Sequence, residues 1–83
     1  MTKQNLVTLR GIVIPSAWDA SGRVVSVALA TYLEEKYRVA DTPTGRKMLS
    51  MMQERVIVEG ILVRQGDEAV IDVRTVRTDK SPI

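Results

Sequence analysis

The chain has no cysteine, no histidine and no phenylalanine, and it has only one tryptophan and two tyrosines. Without cysteine and histidine it has no thiol nucleophile, no disulfide, no imidazole base and none of the usual zinc ligands. No apolar run approaches the roughly 20 residues of a membrane-spanning helix, and the opening residues MTKQNLVTLRG lack the apolar core of a signal peptide. We therefore expect a cytoplasmic protein with no metal and no cofactor.

The overall composition of the chain is that of a small globular domain. Of the 83 residues, 45% are hydrophobic and 27% are charged, which separates the chain from disordered proteins. We expect a single domain, 1–83, with a thin core over about 6–77 and flexible ends at 1–4 and 79–83. The net charge of +2 is by itself a weak signal for a nucleic-acid partner.

The first predicted strand covers 6–14, LVTLRGIVI, which is rich in β-branched residues. Gly11 within it predicts a bulge or a bend, as glycine inside a strand often does. We expect Pro15 to end this strand and the segment PSAWDASG to form a loop.

The second and third predicted strands cover 23–31 and 36–39. Alternation in the second strand divides its side chains into a core set, Val25, Val27 and Leu29, and an outer set, Val24, Ser26, Ala28 and Ala30. In the third strand the same alternation turns Tyr37 toward the core and turns Lys36 and Arg38 outward.

The period then changes to that of a helix in DTPTGRKMLSMMQ. Thr42 is the expected N-cap and Pro43 the first helical residue. Met48 and Met52 are expected to pack against the rest of the protein, whereas Met51 is expected to face outward.

The last two strands form a predicted hairpin over 56–76, VIVEGILVRQGDEAVIDVRTV, with Gly66 and Asp67 at its bend. The predicted order is therefore β-β-β-α-β-β, with glycines inside the first and fourth strands. Such glycines allow long strands to close a small barrel. We thus expect an all-β protein, a small β-barrel with one short helix.

This order resembles the OB fold, a five-stranded Greek-key barrel with a helix between strands three and four. The resemblance covers about 7–76 and rests on VTLRGIV, EKYRV, the short helix and RVIVEGILVRQGDEAVIDV. The chain looks most similar to the small stand-alone bacterial OB-fold proteins of unassigned function. An SH3-like barrel or a mixed sheet with one helix is the alternative fold.

The resemblance implies a ligand surface on the outer side of strands two and three and on the flanking loops. Cations there would contact phosphates, and exposed aromatic rings would stack on bases. The candidate nucleic-acid-binding residues are Arg10, Trp18, Arg23, Tyr32, Lys36, Arg38 and Arg64. The first hypothesis is therefore weak, salt-sensitive and sequence-nonspecific binding of single-stranded nucleic acid. The alternative for these cations is a solvated strand face, and for Trp18 a lid folded over the barrel end.

A second hypothesis is a protein-interaction or self-associating module, in which the smooth outer set of the second strand receives a partner or a second copy. An oligosaccharide site on the same surface is a third, although exposed aromatic residues are scarce. An enzyme is not expected, and we identify no catalytic residue. The serines have no histidine base, and the acidic pairs at 34–35 and 67–68 lie in exposed turns. Arg46 and Lys47 near the helix start lack the glycine spacing of a phosphate loop.

Overall fold

The computed structural model describes residues 6–80, which form a closed barrel of five strands. The strands are β1 (Leu6–Trp18), β2 (Val24–Thr31), β3 (Lys36–Val39), β4 (Arg55–Gln65) and β5 (Glu68–Thr78). Helix α1 (Pro43–Lys47) and a 3₁₀ helix (Met48–Met51) lie between β3 and β4. The predicted all-β class and the order β-β-β-α-β-β are confirmed. Of the ends predicted to be flexible, 1–4 and 79–83, only residues 79 and 80 lie among the described residues.

The strands follow one another around the barrel in the order β1-β2-β3-β5-β4, and β4 pairs again with β1. All neighbours are antiparallel except β3 and β5, which run parallel. β1 closes the barrel because it pairs with β4 through Leu6–Ile12 and with β2 from Gly11 onward. At Gly11 the two backbones approach so closely that a Cβ atom would meet the carbonyl oxygen of Ala30. The register passes through Gly11 without the bulge that the sequence suggested as one possibility.

The prediction that Pro15 ends the first strand is wrong, because β1 continues to Trp18. Pro15 lies opposite Val27, and the register shifts between Pro15 and Ala17 and again before Trp18. A proline cannot donate to the ladder, so strands accommodate it where a bulge already interrupts the pairing. Trp18 is therefore the last residue of a strand and not part of a loop.

The second register shift changes which side chains of β2 face the core. Ser26 pairs with Ala17 and Val24 with Trp18, so that Val25 has no partner on β1. As a result Val24 packs against the core and Val25 is 52% exposed, the reverse of the predicted faces for these two residues. Further along β2, Val27 and Leu29 are buried as predicted, but Ala28, predicted to lie on the outer surface, is also buried, at 1% exposed.

The core fills the barrel, and its members are Val13, Val27, Leu29, Val39, Met48, Val56, Val58, Ile71 and Val73. Tyr37 packs against this cluster, as its position in the third strand predicted. The helical segment contributes Met48, which is completely buried.

The start of α1 is as predicted, since the Thr42 hydroxyl oxygen accepts a 3.0 Å hydrogen bond from the Gly45 N–H and Pro43 is the first helical residue. Met51, however, is partly buried against the core and does not face outward. The reason is the change from α to 3₁₀ helix after Lys47, which rotates each following side chain further around the axis.

The last hairpin also agrees with the sequence, because β4 and β5 are joined by Gly66 and Asp67, and Gly66 has a φ of +61°. Pairing continues beyond the predicted core boundary. Asp79, expected in a flexible end, is buried, and its N–H donates to the Arg55 carbonyl oxygen at 2.8 Å. Within residues 6–80 no helix has the length and hydrophobicity to cross a membrane.

Candidate nucleic-acid interface

The strands β1, β2 and β3 carry cations but no carboxylate. Their charged residues are Arg10, Lys36 and Arg38, while the acidic residues of this part of the chain lie in the two connecting turns. Alternation directs all three cations outward, since Val13 and Leu29 are completely buried and Tyr37 packs against the core. The outer wall formed by these strands is therefore positively charged.

The register arranges the outward residues in rows that cross the strands. One row runs from Arg55 on β4 through Ile12 on β1 and Ala30 on β2 to Lys36 on β3. Because neighbouring strands lie about 4.8 Å apart, the two cations of this row are separated by roughly 14 Å along the surface. Ile12 and Ala30 make the surface between them apolar, so the row has one positive charge at each end and an apolar floor in the middle.

Two further rows flank this one. On one side Ile14, Ala28 and Arg38 lie next to one another on β1, β2 and β3. On the other side Arg10, Ile57 and Arg77 lie next to one another on β1, β4 and β5, with a cation on each side of Ile57. We call these three rows the basic face, which consists of Arg10, Ile12, Ile14, Ala28, Ala30, Lys36, Arg38, Arg55, Ile57 and Arg77. Two of these residues, Ala28 and Ile57, are buried beneath their neighbours.

Four of the five cations of the basic face have no charged partner among the described residues. Arg10, Lys36, Arg55 and Arg77 form no ion pair with any other residue in the range 6–80. Arg38 is the exception, because its Nε lies 2.7 Å from Glu68 Oε2. Within the described range, an anionic ligand can therefore reach these four cations without first breaking an ion pair.

The exposed aromatic residues Trp18 and Tyr32 stand at the two ends of β2. Trp18 pairs with Val24 and Tyr32 follows Thr31 directly, so the rings are about 25 Å apart at the usual rise of a strand. Trp18 is 57% exposed and Tyr32 53%, and the idea that Trp18 folds over the barrel end as a lid is wrong. The basic face itself contains no aromatic residue.

Tyr32 lies close to Arg10. Both line a shallow depression where the turn after β2 meets the outer side of β1, together with Thr8, Leu9, Thr31, Leu33 and Glu35. Tyr37 faces the other way, and its burial, with a smaller effect from the Glu35 carboxylate, raises the pKa of its hydroxyl. The structure therefore brings one exposed ring, that of Tyr32, next to a cation of the basic face.

The turn between β1 and β2 is built around the carboxylate of Asp19. Its Oδ1 accepts hydrogen bonds from the Ser21 hydroxyl at 2.7 Å, the Ser21 N–H at 2.9 Å and the Arg23 N–H at 3.0 Å. These bonds, with the Ser21 hydroxyl as the largest contribution, lower the pKa of Asp19. Arg23 is exposed and has an ionised carboxylate close to its backbone, so this turn adds little net positive charge.

Arg64 does not reach the basic face. It pairs with Ala69 on β5, whereas the next pair, Gln65 with Glu68, faces the opposite side of the hairpin and contacts Arg38. Of the predicted site residues, the structure thus brings together Arg10, Lys36 and Arg38. It places Trp18, Arg23 and Tyr32 at the two ends of β2 and turns Arg64 away.

Five residues of the basic face were not predicted from the sequence, namely Ile12, Ile14, Arg55, Ile57 and Arg77. The outward position of Ile12 and Ile14 follows from the alternation of β1, once Val13 is assigned to the core. Arg55 and Arg77 carry no such local signal, because their place beside β1 depends on the closing pair between β1 and β4.

Asp41 and Arg46, at the start of α1, form an ion pair away from the basic face. Arg46 holds Asp41 through two hydrogen bonds of 2.6 and 3.3 Å, and this contact lowers the pKa of the Asp41 carboxyl. In the part of the chain that the structure describes, no three residues among His, Cys, Asp and Glu are grouped so as to hold a metal ion.

The fold and this surface define a class, that of small five-stranded OB-like barrels with an exposed basic wall. The chain matches no protein-family model, and neither the curated proteins nor the solved structures gave a match.

Proposed function

We propose that this protein is a non-enzymatic module that binds single-stranded nucleic acid, weakly and with little sequence preference, on the basic face. The observation that supports this most strongly is the charge pattern of β1, β2 and β3, which carry cations and no carboxylate. An anionic polymer is attracted to such a wall, and the carboxylates that border it, those of Asp67 and Glu68, lie only at the end next to Lys36 and Arg38.

The division of work between the residues follows from their positions. The four cations without an ion pair, Arg10, Lys36, Arg55 and Arg77, contact phosphates. Sugars and bases lie against the apolar surface that Ile12 and Ala30 provide. Trp18 and Tyr32 stack on bases at the two ends of β2, where the nucleic acid passes beyond the basic face. Because aliphatic side chains read no base edges, sequence preference is small.

Electrostatic binding of this kind depends steeply on salt. Each phosphate contact to a single strand contributes about −0.7 to the slope of log K against log salt, so about four contacts give a slope near −2.8. The affinity is then expected to fall about 50-fold between roughly 50 and 200 mM salt.

Fluorescence anisotropy with a labelled oligothymidylate of about 12 nucleotides tests this proposal, since OB folds bind about 4–16 nucleotides. The variants Lys36→Gln and Arg55→Gln are each expected to weaken binding roughly fivefold to tenfold near 50 mM salt and to reduce the slope by about 0.7. Lys47→Gln removes the same charge from α1, outside the basic face, and should change the affinity by less than about twofold. A salt-independent affinity, or an equal loss in Lys47→Gln, contradicts the proposal.

We also propose that the barrel is an OB-fold domain of the small stand-alone bacterial kind and that it acts in the cytoplasm. The strand order, the parallel contact of β3 with β5 and the helix between β3 and β4 support the OB assignment.

A second candidate function is protein interaction or self-association along β2. The first half of β2, 24–27, pairs with β1 but has no strand partner on β3 among residues 6–80, and Val25 is exposed there. Such an edge can accept a strand from another chain, although the irregular pairing at Val25 makes it a poor template. A mass that rises with protein concentration in sedimentation experiments would favour this candidate.

A further inference from the structure

The tip of the β4–β5 hairpin extends beyond the rest of the barrel. β4 and β5 remain paired as far as Gln65 and Glu68, whereas the described pairing of β4 with β1 stops at Ile61. On its other side β5 pairs with β3 only through Val70 and Ile71. Among the described residues the tip has few neighbours, and a segment of this kind can move without unfolding the barrel.

The tip is held against the basic face by Arg38. The Arg38 Nε donates to Glu68 Oε2 at 2.7 Å, and its Nη2 donates to Gln65 Oε1 at 3.0 Å. Asp67 and Glu68 also line the groove whose floor is Ala28 and whose wall carries Lys36. Two carboxylates therefore lie at the end of the face where β3 presents its two cations.

We propose that the hairpin tip is a latch, in which Glu68 and Gln65 occupy Arg38, and that a single-stranded nucleic acid contacts Arg38 only after displacing them. This inference rests on the proposed function of the basic face. A phosphate can replace the carboxylate, since both offer oxygens that accept the parallel N–H bonds of a guanidinium group. The side chains of Arg38 and Glu68 are 39% and 61% exposed, and ion pairs this exposed are weak enough for a ligand to displace.

The variant Glu68→Gln tests the latch because it removes the charge and keeps the shape of the side chain. With the labelled oligothymidylate near 50 mM salt, it is expected to bind about fivefold more tightly and to steepen the salt slope by about 0.7, which corresponds to one additional phosphate contact. Glu54→Gln is the matched control, since it makes the same change of charge in an exposed residue that forms no ion pair with any other residue of 6–80. Glu54 makes no contact with Arg38, so its effect on the affinity should be clearly smaller than that of Glu68→Gln.

Two further variants separate the latch from a general effect of charge. Gln65→Ala leaves the net charge unchanged and removes the second hydrogen bond to Arg38, so a gain of about twofold is expected. In a double-mutant cycle the gain from Glu68→Gln should disappear in an Arg38→Ala background, because the latch then has nothing to hold.

Each outcome decides one proposal or both. If wild type binds and Glu68→Gln gains no more than Glu54→Gln, the latch is wrong and the basic face stands. If wild type does not bind but Glu68→Gln does, both proposals are supported and the resting protein is latched. If neither wild type nor any variant binds, the proposed function and the latch are both overturned.

Discussion

Replacing Gly11 by alanine is expected to destabilise the barrel by about 3 kcal/mol, at the upper end of the usual effect of overpacking. The new Cβ would meet the carbonyl oxygen of Ala30, lie 2.8 Å from its carbonyl carbon and lie 2.9 Å from the Cα of Thr31. These are backbone atoms of a paired strand and cannot rotate away as a side chain can. Relief requires β1 and β2 to separate at the point where β1 passes from one partner to the other.

Urea unfolding of the two proteins measures this effect. A domain of this size has an m-value of about 1–1.5 kcal/mol/M, so the midpoint should fall by about 2–3 M. Arg10→Ala is the control in the same strand, because Arg10 is exposed and its truncation should cost less than about 0.5 kcal/mol. Equal midpoints for the two variants would show that β1 and β2 do not approach as closely as described.

Replacing Met48 by alanine is expected to cost about 3 kcal/mol, within the range for large-to-small changes in a core. Met48 is 0% exposed and is the side chain through which the helical segment enters the core. Its truncation leaves a cavity that the surrounding strands cannot fill, because they are fixed by their pairing around the closed barrel.

Met51→Ala is the matched control for this second prediction. Met51 is only partly buried against the same core, so its loss should cost about 1 kcal/mol. The same urea measurement compares the two variants. If Met51→Ala were as destabilising as Met48→Ala, the 3₁₀ helix would have to present a different side chain to the core.

The elements that the sequence predicted correctly have local signals. Thr42 and Pro43 mark a helix start through their own chemistry, and Gly66 with Asp67 marks a two-residue turn. The order of the elements then limits the fold to very few arrangements. Side-chain alternation also placed Arg10, Lys36 and Arg38 outward correctly, because no bulge interrupts these parts of β1 and β3.

The wrong predictions for β1 and β2 come from the way the two strands pair, which neither strand determines alone. The register shifts near Pro15 and Val25 depend on how β1 and β2 face each other, and they reversed Val24 and Val25 and extended β1 to Trp18. A period counted along one strand contains no information about its partner. Arg64 was a candidate because of its place at the hairpin loop, and the structure puts it on the side of the hairpin opposite to Gln65 and Glu68.

The remainder of the candidate site depends on contacts between residues far apart in the chain. Arg55 joins the basic face only because β4 closes the barrel against β1. Arg38 and Glu68 are 30 residues apart, and their contact depends on the parallel approach of β5 to β3. Such contacts become visible only when the register of the whole barrel is known.

The central claim is that the basic face binds single-stranded nucleic acid, and the most direct measurement is a backbone amide NMR titration with unlabelled oligothymidylate at low salt. We predict that the signals of Arg10, Ile12, Ala30 and Lys36 shift together and return when salt is added. The absence of shifts, or shifts confined to the β2 edge at 24–27, would contradict the claim.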